Sequence, residues 1–264
     1  MSIKEVVEAL ERFAPLPLQE DYDNAGLQIG LTEVETSGVL VCLDVTEDII
    51  LEAEQCGCNL IVAHHPLLFR GVKCLANRNL VERCVREAIV RNIAIYAAHT
   101  NLDNAQGGVN FEMAKRIGLS ETGFLQQGAS SADGTEQGSG LIGTLPREED
   151  PLIFLQRVKE TFGVTCLNYS KGPKRPVRRV ALCGGAGDFL LEKAIAVGAD
   201  VFLTGEMGYH RYFGHENELW IGVLGHYQSE RFTIDLLLRL LKETCPNLRL
   251  CKSLTDTNPI HHLL

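Results

Sequence analysis

The chain has 264 residues, of which 45% are hydrophobic, and its formal net charge is -9 at pH 7. A chain of this length can bury a sizeable core, either in one large α/β domain or in two joined lobes. The acidic balance opposes nonspecific nucleic-acid binding, which depends on accumulated Lys and Arg. The first residues lack the apolar core of a signal peptide and no apolar run is long enough to span a bilayer, so the sequence predicts a soluble cytoplasmic protein without a membrane partner.

The cysteines favour a reducing compartment. There are 9 of them, mostly in apolar segments where a free thiol packs as a small hydrophobe, and a core of this size does not require disulfides. The close pair Cys56 and Cys58 has a single glycine between its members and no second pair to complete a zinc site. We interpret this pair as structural thiols in preference to metal ligands.

Strand and helix patterns alternate along the first half. Ser2 and Glu5 are spaced as a capping box before a first helix, and Thr46 can cap a second helix that runs to about Gln55. Buried strands are predicted at 38–43, 60–63 and 93–98, and further helices at 79–91 and 109–117. This alternation is typical of a mostly parallel sheet flanked by helices, which is an α/β fold.

Residues 126–140 are rich in Gly, Ser, Ala and Gln and carry no hydrophobic period. This composition predicts a flexible connection. It divides the chain into a first lobe, residues 1–125, and a second lobe, residues 141–264.

The second half repeats the pattern of the first. Strands predicted at 180–183, 201–204 and 220–225 follow one another as the earlier strands do, and polar residues follow them in the same order. In this register His64-His65 matches Gly205-Glu206, and His99 with Asp103 matches His226 with Glu230. Two such matches in the same order suggest an ancient duplication.

These polar residues fall where parallel sheets bind ligands, beyond the carboxyl ends of the strands. His64 and His65 follow a buried strand and precede Pro66. His226 and Glu230 share one face of a helix predicted from 227 to 242, whereas His99 and Asp103 have the same spacing in a helix or a loop. A His-His pair or an i, i+4 pair alone is usually an ordinary polar feature. Their joint occurrence favours a metal site.

The donor types indicate which metals would bind. Imidazole and carboxylate together suit Zn, Fe, Mn, Co or Ni, and a carboxylate can bridge two ions. A pair of divalent ions is the usual reason to gather such a set. The candidate ligands at the strand ends are His64, His65, His99, Asp103, His226 and Glu230.

Other polar segments are weaker candidates for a functional site than the predicted metal ligands. The run Cys183-Gly-Gly-Ala-Gly-Asp188 could cradle a phosphate on backbone N–H groups, but a tight strand-to-helix turn is the preferred interpretation. The basic run 171–179 could steer an anion, although a solvated connection is the safer reading. Glu206 and His210 could lie near the metals as acid/base groups. His261 and His262 are interpreted as a polar terminus.

The chain resembles the Nif-three-like family, whose members carry the name GTP cyclohydrolase I type 2 homologue. The similar segments span most of the sequence in the family's order: Asp21-Tyr-Asp-Asn-Ala-Gly-Leu-Gln-Ile-Gly30, Val62-Ala-His-His-Pro66, His99-Thr-Asn-Leu-Asp103, Leu203-Thr-Gly-Glu206 and Gly225-His-Tyr-Gln-Ser-Glu230.

The resemblance implies two similar α/β lobes related by pseudo-twofold symmetry, a toroidal hexamer and a dinuclear metal site. It implies that the metal ligands are His64, His65, Asp103, His226 and Glu230, with Glu230 as the bridge and His99 beside the metals. The function expected is a hydrolase that uses metal-activated water on a small molecule such as a nucleotide, with GTP as the family name suggests. His99 and Glu206 would move protons. The alternative is a metal-binding, metal-delivery or scaffold protein without catalysis.

Overall fold

A computed structural model describes residues 1–128 and 136–263. The chain forms two compact units, one of Met1–Leu102 with Thr233–Pro259 and the other of Asp103–Phe232 with the tail from Ile260. The helices are α1 (Ile3–Phe13), α2 (Glu47–Gln55), α3 (Leu80–Val90), α4 (Thr100–Asp103), α5 (Val109–Arg116), α6 (Pro151–Phe162), α7 (Leu191–Ala196), α8 (His226–Glu230) and α9 (Thr233–Thr244). The strands are β1 (Gly26–Ile29), β2 (Val39–Cys42), β3 (Leu60–Ala63), β4 (Ala94–Ala97), β5 (Ser120–Gln127), β6 (Gly138–Glu149), β7 (Asn168–Ser170), β8 (Val177–Cys183), β9 (Val201–Thr204), β10 (Trp220–Val223) and β11 (Leu250–Lys252).

The first unit contains a five-stranded sheet in the order β1-β4-β3-β2-β11. The four strands β4, β3, β2 and β11 are parallel, and β1 runs antiparallel to β4. Every residue of β2, β3 and β4 is buried, as expected for strands covered on both faces. The predicted helix starts are confirmed, because Ser2 and Glu5 form a capping box and Thr46 and Asn79 cap α2 and α3.

The second unit contains a six-stranded sheet in the order β5-β6-β8-β9-β10-β7. Its centre, β8-β9-β10, is parallel and repeats the arrangement of β2-β3-β4 in the other sheet. The remaining strands pair antiparallel. The predicted α/β class is therefore confirmed, with two mixed sheets flanked by helices. The pseudo-twofold relation between the two halves stays a prediction.

The unit boundaries differ from the predicted lobes 1–125 and 141–264. After β10 and α8 the chain returns to the first unit, where α9 contacts α1 and β11 pairs with β2. The predicted connection 126–140 overlaps secondary structure at both ends, because β5 and β6 pair with each other and both reach into that range. Residues 129–135 of the connection lie outside the described residues.

The helix predicted over 227–242 is two helices, α8 and α9. The break falls at Arg231 and Phe232, where the chain leaves the second unit. The Phe232 ring lies 5.8 Å from the ring of Phe162, and the Arg116 guanidinium lies 4.9 Å above it. These contacts come from distant parts of the chain, so a local apolar period cannot reveal the break.

Candidate functional site

Three histidines form a cluster at the carboxyl ends of two neighbouring strands of the first unit. His64 and His65 directly follow β3, and His99 comes two residues after β4. The ring centroids lie 4.9 Å apart for His64 and His65, 5.4 Å for His64 and His99, and 5.6 Å for His65 and His99. Metal-binding nitrogens of His64 and His65 lie within 4.8 Å of each other. The sheet thus places His99 beside His64 and His65, from which it is separated in the sequence.

Each imidazole of this histidine cluster is held through its Nδ1 atom. His64 Nδ1 lies 2.7 Å from the carbonyl oxygen of Ala98. His65 Nδ1 lies 2.7 Å from Asp44 Oδ1, and His99 Nδ1 lies 2.7 Å from Asp23 Oδ1. Because a carbonyl or carboxylate oxygen accepts, the proton belongs on Nδ1 and the lone pair on Nε2. That is the form in which a neutral imidazole binds a metal through Nε2.

Asp44 and Asp23 are themselves held by hydrogen bonds. The sequence motifs do not show that these two aspartates accept hydrogen bonds from His65 and His99. Asp44 Oδ2 accepts from the Thr257 hydroxyl at 2.6 Å. Asp23 Oδ2 accepts from the Thr100 backbone N–H at 3.0 Å and from its hydroxyl. The signal that could have found them is the need of a ligand histidine for an acceptor on its second nitrogen.

The surroundings keep both carboxylates ionised. Burial by itself would raise the pKa of Asp44, but the hydrogen bonds from His65 and from the hydroxyl of Thr257 outweigh it and lower that pKa. Burial also opposes ionisation of Asp23, yet the hydrogen bonds from His99 and Thr100 lower its pKa from 3.8 to about 2. Ionised acceptors hold the imidazole rings more strongly than neutral ones.

In the second unit, His226 and Glu230 share one face of α8, as their spacing predicts. His226 Nε2 lies 3.1 Å from Glu230 Oε2, and the Glu230 side chain is buried. His226 Nδ1 lies 2.8 Å from Oε1 of the exposed Glu206, which follows β9. The ring is therefore oriented by one carboxylate and presents its other nitrogen beside a second one. An imidazole nitrogen and a carboxylate oxygen at this separation can bind one cation together.

The glycine-rich run 183–188 is a tight turn, and its backbone donors are used inside the second unit. The N–H of Gly184 donates to Asn110 Oδ1 at 3.0 Å, that of Gly185 to Ser229 Oγ at 3.0 Å, and that of Gly187 to Thr204 Oγ1 at 3.1 Å. A phosphate would have to displace these bonds, so the cradle interpretation is wrong here and the turn interpretation is confirmed.

This turn also forms the wall against Glu230. A methyl carbon at Gly185 would lie 2.3 Å from Glu230 Oε1, so only glycine leaves room for the carboxylate. The backbone of Gly185 has φ +56°, a second reason for glycine at this position.

Asp103 enters the second unit at the end of α4 and is partly buried. Its carbonyl oxygen accepts from Asn110 Nδ2 at 3.2 Å, and Asn110 in turn accepts from Gly184. Asn110 is 2% exposed, so this link lies in the interior. It fixes the backbone of Asp103 to the turn that contacts Glu230.

A cavity of about 500 Å³ opens beside His226 in the second unit. Its wall includes Glu206, Asp188, Tyr212 and His262, a position that the sequence suggests only as part of a polar terminus. A volume of this size suits a small organic molecule. The described residues include no helix that is both long and apolar enough to cross a membrane.

The predicted site residues thus fall into two groups of donors. The first unit brings together His64, His65 and His99, and the second brings together Glu206, His226 and Glu230. Asp103 also lies in the second unit, where the structure links its backbone, through Asn110, to the turn beside Glu230. The donor set in each group fits a divalent metal, because every imidazole has an oxygen partner at Nδ1 and Glu230 lies in a space that a Cβ would fill.

Comparison with known proteins gives a consistent result. A family profile described as Duf34/NIF3 (NGG1p interacting factor 3) matches residues 1–259. The chain is 34% identical to a GTP cyclohydrolase 1 type 2 homolog of Streptococcus pneumoniae and 33% identical to one of Lactococcus lactis, with 100% of each chain covered in both comparisons. A crystal structure of a Bacillus cereus protein related to NIF3 superposes with a TM-score of 0.90 at 25% identity, covering 100% of this chain and 99% of that one.

Proposed function

Because this chain belongs to the Duf34/NIF3 family, we propose that it is a metal-dependent hydrolase whose ligands are His64, His65, Asp103, His226 and Glu230. In this proposal the ligands would hold two divalent ions of the group Zn, Fe, Mn, Co and Ni, with Glu230 as a ligand shared by both. The substrate is a small molecule, with a nucleotide as the first candidate because the relatives are named after a GTP cyclohydrolase.

One observation carries the proposal: the proposed histidine ligands all have an oxygen acceptor at Nδ1. The acceptors are Ala98 O for His64, Asp44 for His65 and Glu206 for His226, at 2.7, 2.7 and 2.8 Å. Any buried histidine needs a partner for its ring N–H, and His215 has one in Glu218. A metal ligand needs, in addition, a fixed tautomer and a second nitrogen that faces another donor, as His226 Nε2 faces Glu230 Oε2 at 3.1 Å. Three independent instances favour metal binding over an ordinary polar cluster.

When bound, divalent ions supply Lewis acidity, which polarises the bond under attack and makes water reactive near neutral pH. The protein's own groups orient the donors and move protons. We propose that His99, held by Asp23, exchanges a proton with the substrate or with water. For Glu206 the contact with His226 favours a positioning role over the proton transfer predicted from its sequence position.

The hexamer and the cytoplasmic location belong to the same proposal. Both rest on the family resemblance and on the composition. The measurement that addresses the hexamer is the molar mass of the purified protein by light scattering, together with its dependence on metal loading.

The experiment that tests the proposed function combines metal analysis with a turnover screen on nucleotides, phosphoesters and cyclic amides. Wild type should carry two ions per subunit, whereas His226→Ala and Glu230→Ala should lose at least one ion and all metal-dependent turnover while they keep the fold. The matched control is His215→Ala, because His215 makes a similar contact, 2.7 Å to Glu218, in the same unit. This control should retain both ions.

Unchanged metal content in His226→Ala and Glu230→Ala would reject the ligand assignment. Full metal uptake without turnover on any compound would instead favour the alternative, a metal-binding or metal-delivery protein without catalysis. An open coordination position in the loaded protein favours the hydrolase, because purely structural metal sites tend to be closed.

A further inference from the structure

The segment Leu67–Asn79, between β3 and α3, concentrates positive charge in an acidic protein. It carries Arg70, Lys73 and Arg78 and no acidic residue, whereas the whole chain has a net charge of -9. The segment lacks helix and strand, and its basic residues are exposed. A local positive field of this kind attracts anions even when the overall charge repels them.

Two of the three charges are not neutralised. The Arg78 guanidinium lies 2.9 Å from the carboxylate of Glu82, which also accepts from the backbone N–H of Ala76 and of Arg78. Arg70 and Lys73, in contrast, have no carboxylate within salt-bridge distance in the described part of the chain. Both cations therefore remain available to a ligand.

Arg70 and Lys73 line two adjoining cavities of about 490 and 590 Å³ in the first unit. Both cavities share the stretch from Phe69 to Lys73. The apolar side chains of Leu67 and Val81 also line the first cavity. Leu75 and Asn24 also line the second cavity. Volumes of this size and mixed walls suit a ligand that combines an anionic group with an organic ring.

The wall of these cavities contacts the histidine cluster. The Phe69 ring meets the His99 ring edge to face at 6.2 Å, and it meets the Tyr22 ring at 6.4 Å. Arg70 follows His65 by five positions in the sequence. An anion bound by Arg70 and Lys73 would thus lie on the segment that directly follows the proposed ligands His64 and His65 in the chain.

We infer that Arg70 and Lys73 form a subsite for the phosphate groups of a phosphorylated small molecule. Two cations, one of them a forked guanidinium, match a phosphate's charge and oxygen geometry. The assignment of this phosphate to the substrate rests on the proposed hydrolase function, whereas the binding itself does not require the metal. The two ideas can therefore fail separately.

The test measures binding by calorimetry with metal-free protein, using pyrophosphate, GTP and the uncharged nucleoside guanosine as probes. Wild type should bind pyrophosphate and GTP, more weakly as ionic strength rises, and guanosine much less well. The double variant Arg70→Gln/Lys73→Gln should bind both anions about 100-fold more weakly, roughly tenfold for each charge removed. The charge-retaining variant Arg70→Lys/Lys73→Arg should bind them within about tenfold of wild type.

The matched control is Lys115→Gln/Lys193→Gln, which removes the same charge from exposed positions in the second unit. It should bind the anions as wild type does. Equal weakening in both double variants would show a general charge effect and overturn the inference, as would guanosine binding as tightly as GTP. Metal content, measured on the same preparations, reports separately on the proposed function.

Discussion

Replacing Gly185 by alanine tests whether the turn after β8 sets the position of Glu230. The new methyl carbon would lie 2.3 Å from Glu230 Oε1 and 3.2 Å from its carboxyl carbon. Ordinary contact begins at 3.4 Å, so the carboxylate must retreat by about 1 Å. Since a metal ligand tolerates little displacement, we expect the dissociation constant for the metal to rise at least about tenfold.

The same substitution also strains the backbone. Alanine in the left-handed region costs roughly 1 kcal/mol of folding free energy. Gly198→Ala separates the two effects, because Gly198 has φ +69° and a methyl carbon there would meet nothing within 4 Å. Both variants should therefore unfold at lower urea concentration by a similar amount.

Only Gly185→Ala should bind metal more weakly, as measured by isothermal titration calorimetry with Zn²⁺ or Mn²⁺. Wild-type affinity in Gly185→Ala, together with the expected loss of stability, would refute the reasoning. It would mean that Glu230 does not bind the metal from its present position.

Three further predictions concern the acidic partners of the histidines. Asp44→Asn should weaken metal binding by about 10- to 100-fold in calorimetry because His65 loses its charged acceptor, while Asp235→Asn, which removes an exposed partner of Lys252, should not. Asp23→Asn should lower the free energy of unfolding by about 2 kcal/mol at pH 7. The folded pKa of about 2 lies below the ordinary 3.8, so this stability is present above about pH 4 and is lost as the pH falls towards 2. Urea curves of wild type and variant should converge there, and a constant gap would contradict the assignment. Glu206→Gln keeps a hydrogen-bond acceptor for His226, so the metal affinity of this variant should stay near that of wild type. Glu206→Ala removes the acceptor and should weaken metal binding about tenfold. An equal loss of affinity in both variants would give the carboxylate charge a direct role.

The sequence predicts the elements whose signals are local. The helix caps at Ser2 and Thr46 need only a side chain and the next turn of backbone. The apolar runs of β3 and β9 predict buried parallel strands. The polar residues directly after these strands indicate the edge of the sheet where ligands bind. On this basis His64 and His65 become candidates, and their joint occurrence with the other polar residues at strand ends favours a metal site.

Contacts between distant segments decide the remaining features. β11 has only three residues and exists because it pairs with β2, more than 200 positions earlier. The acceptors Asp23 and Asp44 are identified only when the rings of His99 and His65 are placed beside them. Asn110 and Ser229 occupy the donors of the glycine-rich turn, and no spacing rule brings either to Gly184 or Gly185.

The return of β11 to the first sheet has a consequence for how the protein is made. On the ribosome, residues Asp103–Phe232 can collapse as one continuous segment, whereas the first unit must wait for Thr233–Pro259 to emerge. Thr257, which holds Asp44 behind His65, lies in that late segment. The His65 ring therefore gains its full support only near the end of translation. Under the proposed function, a nascent chain would bind its ion only after synthesis.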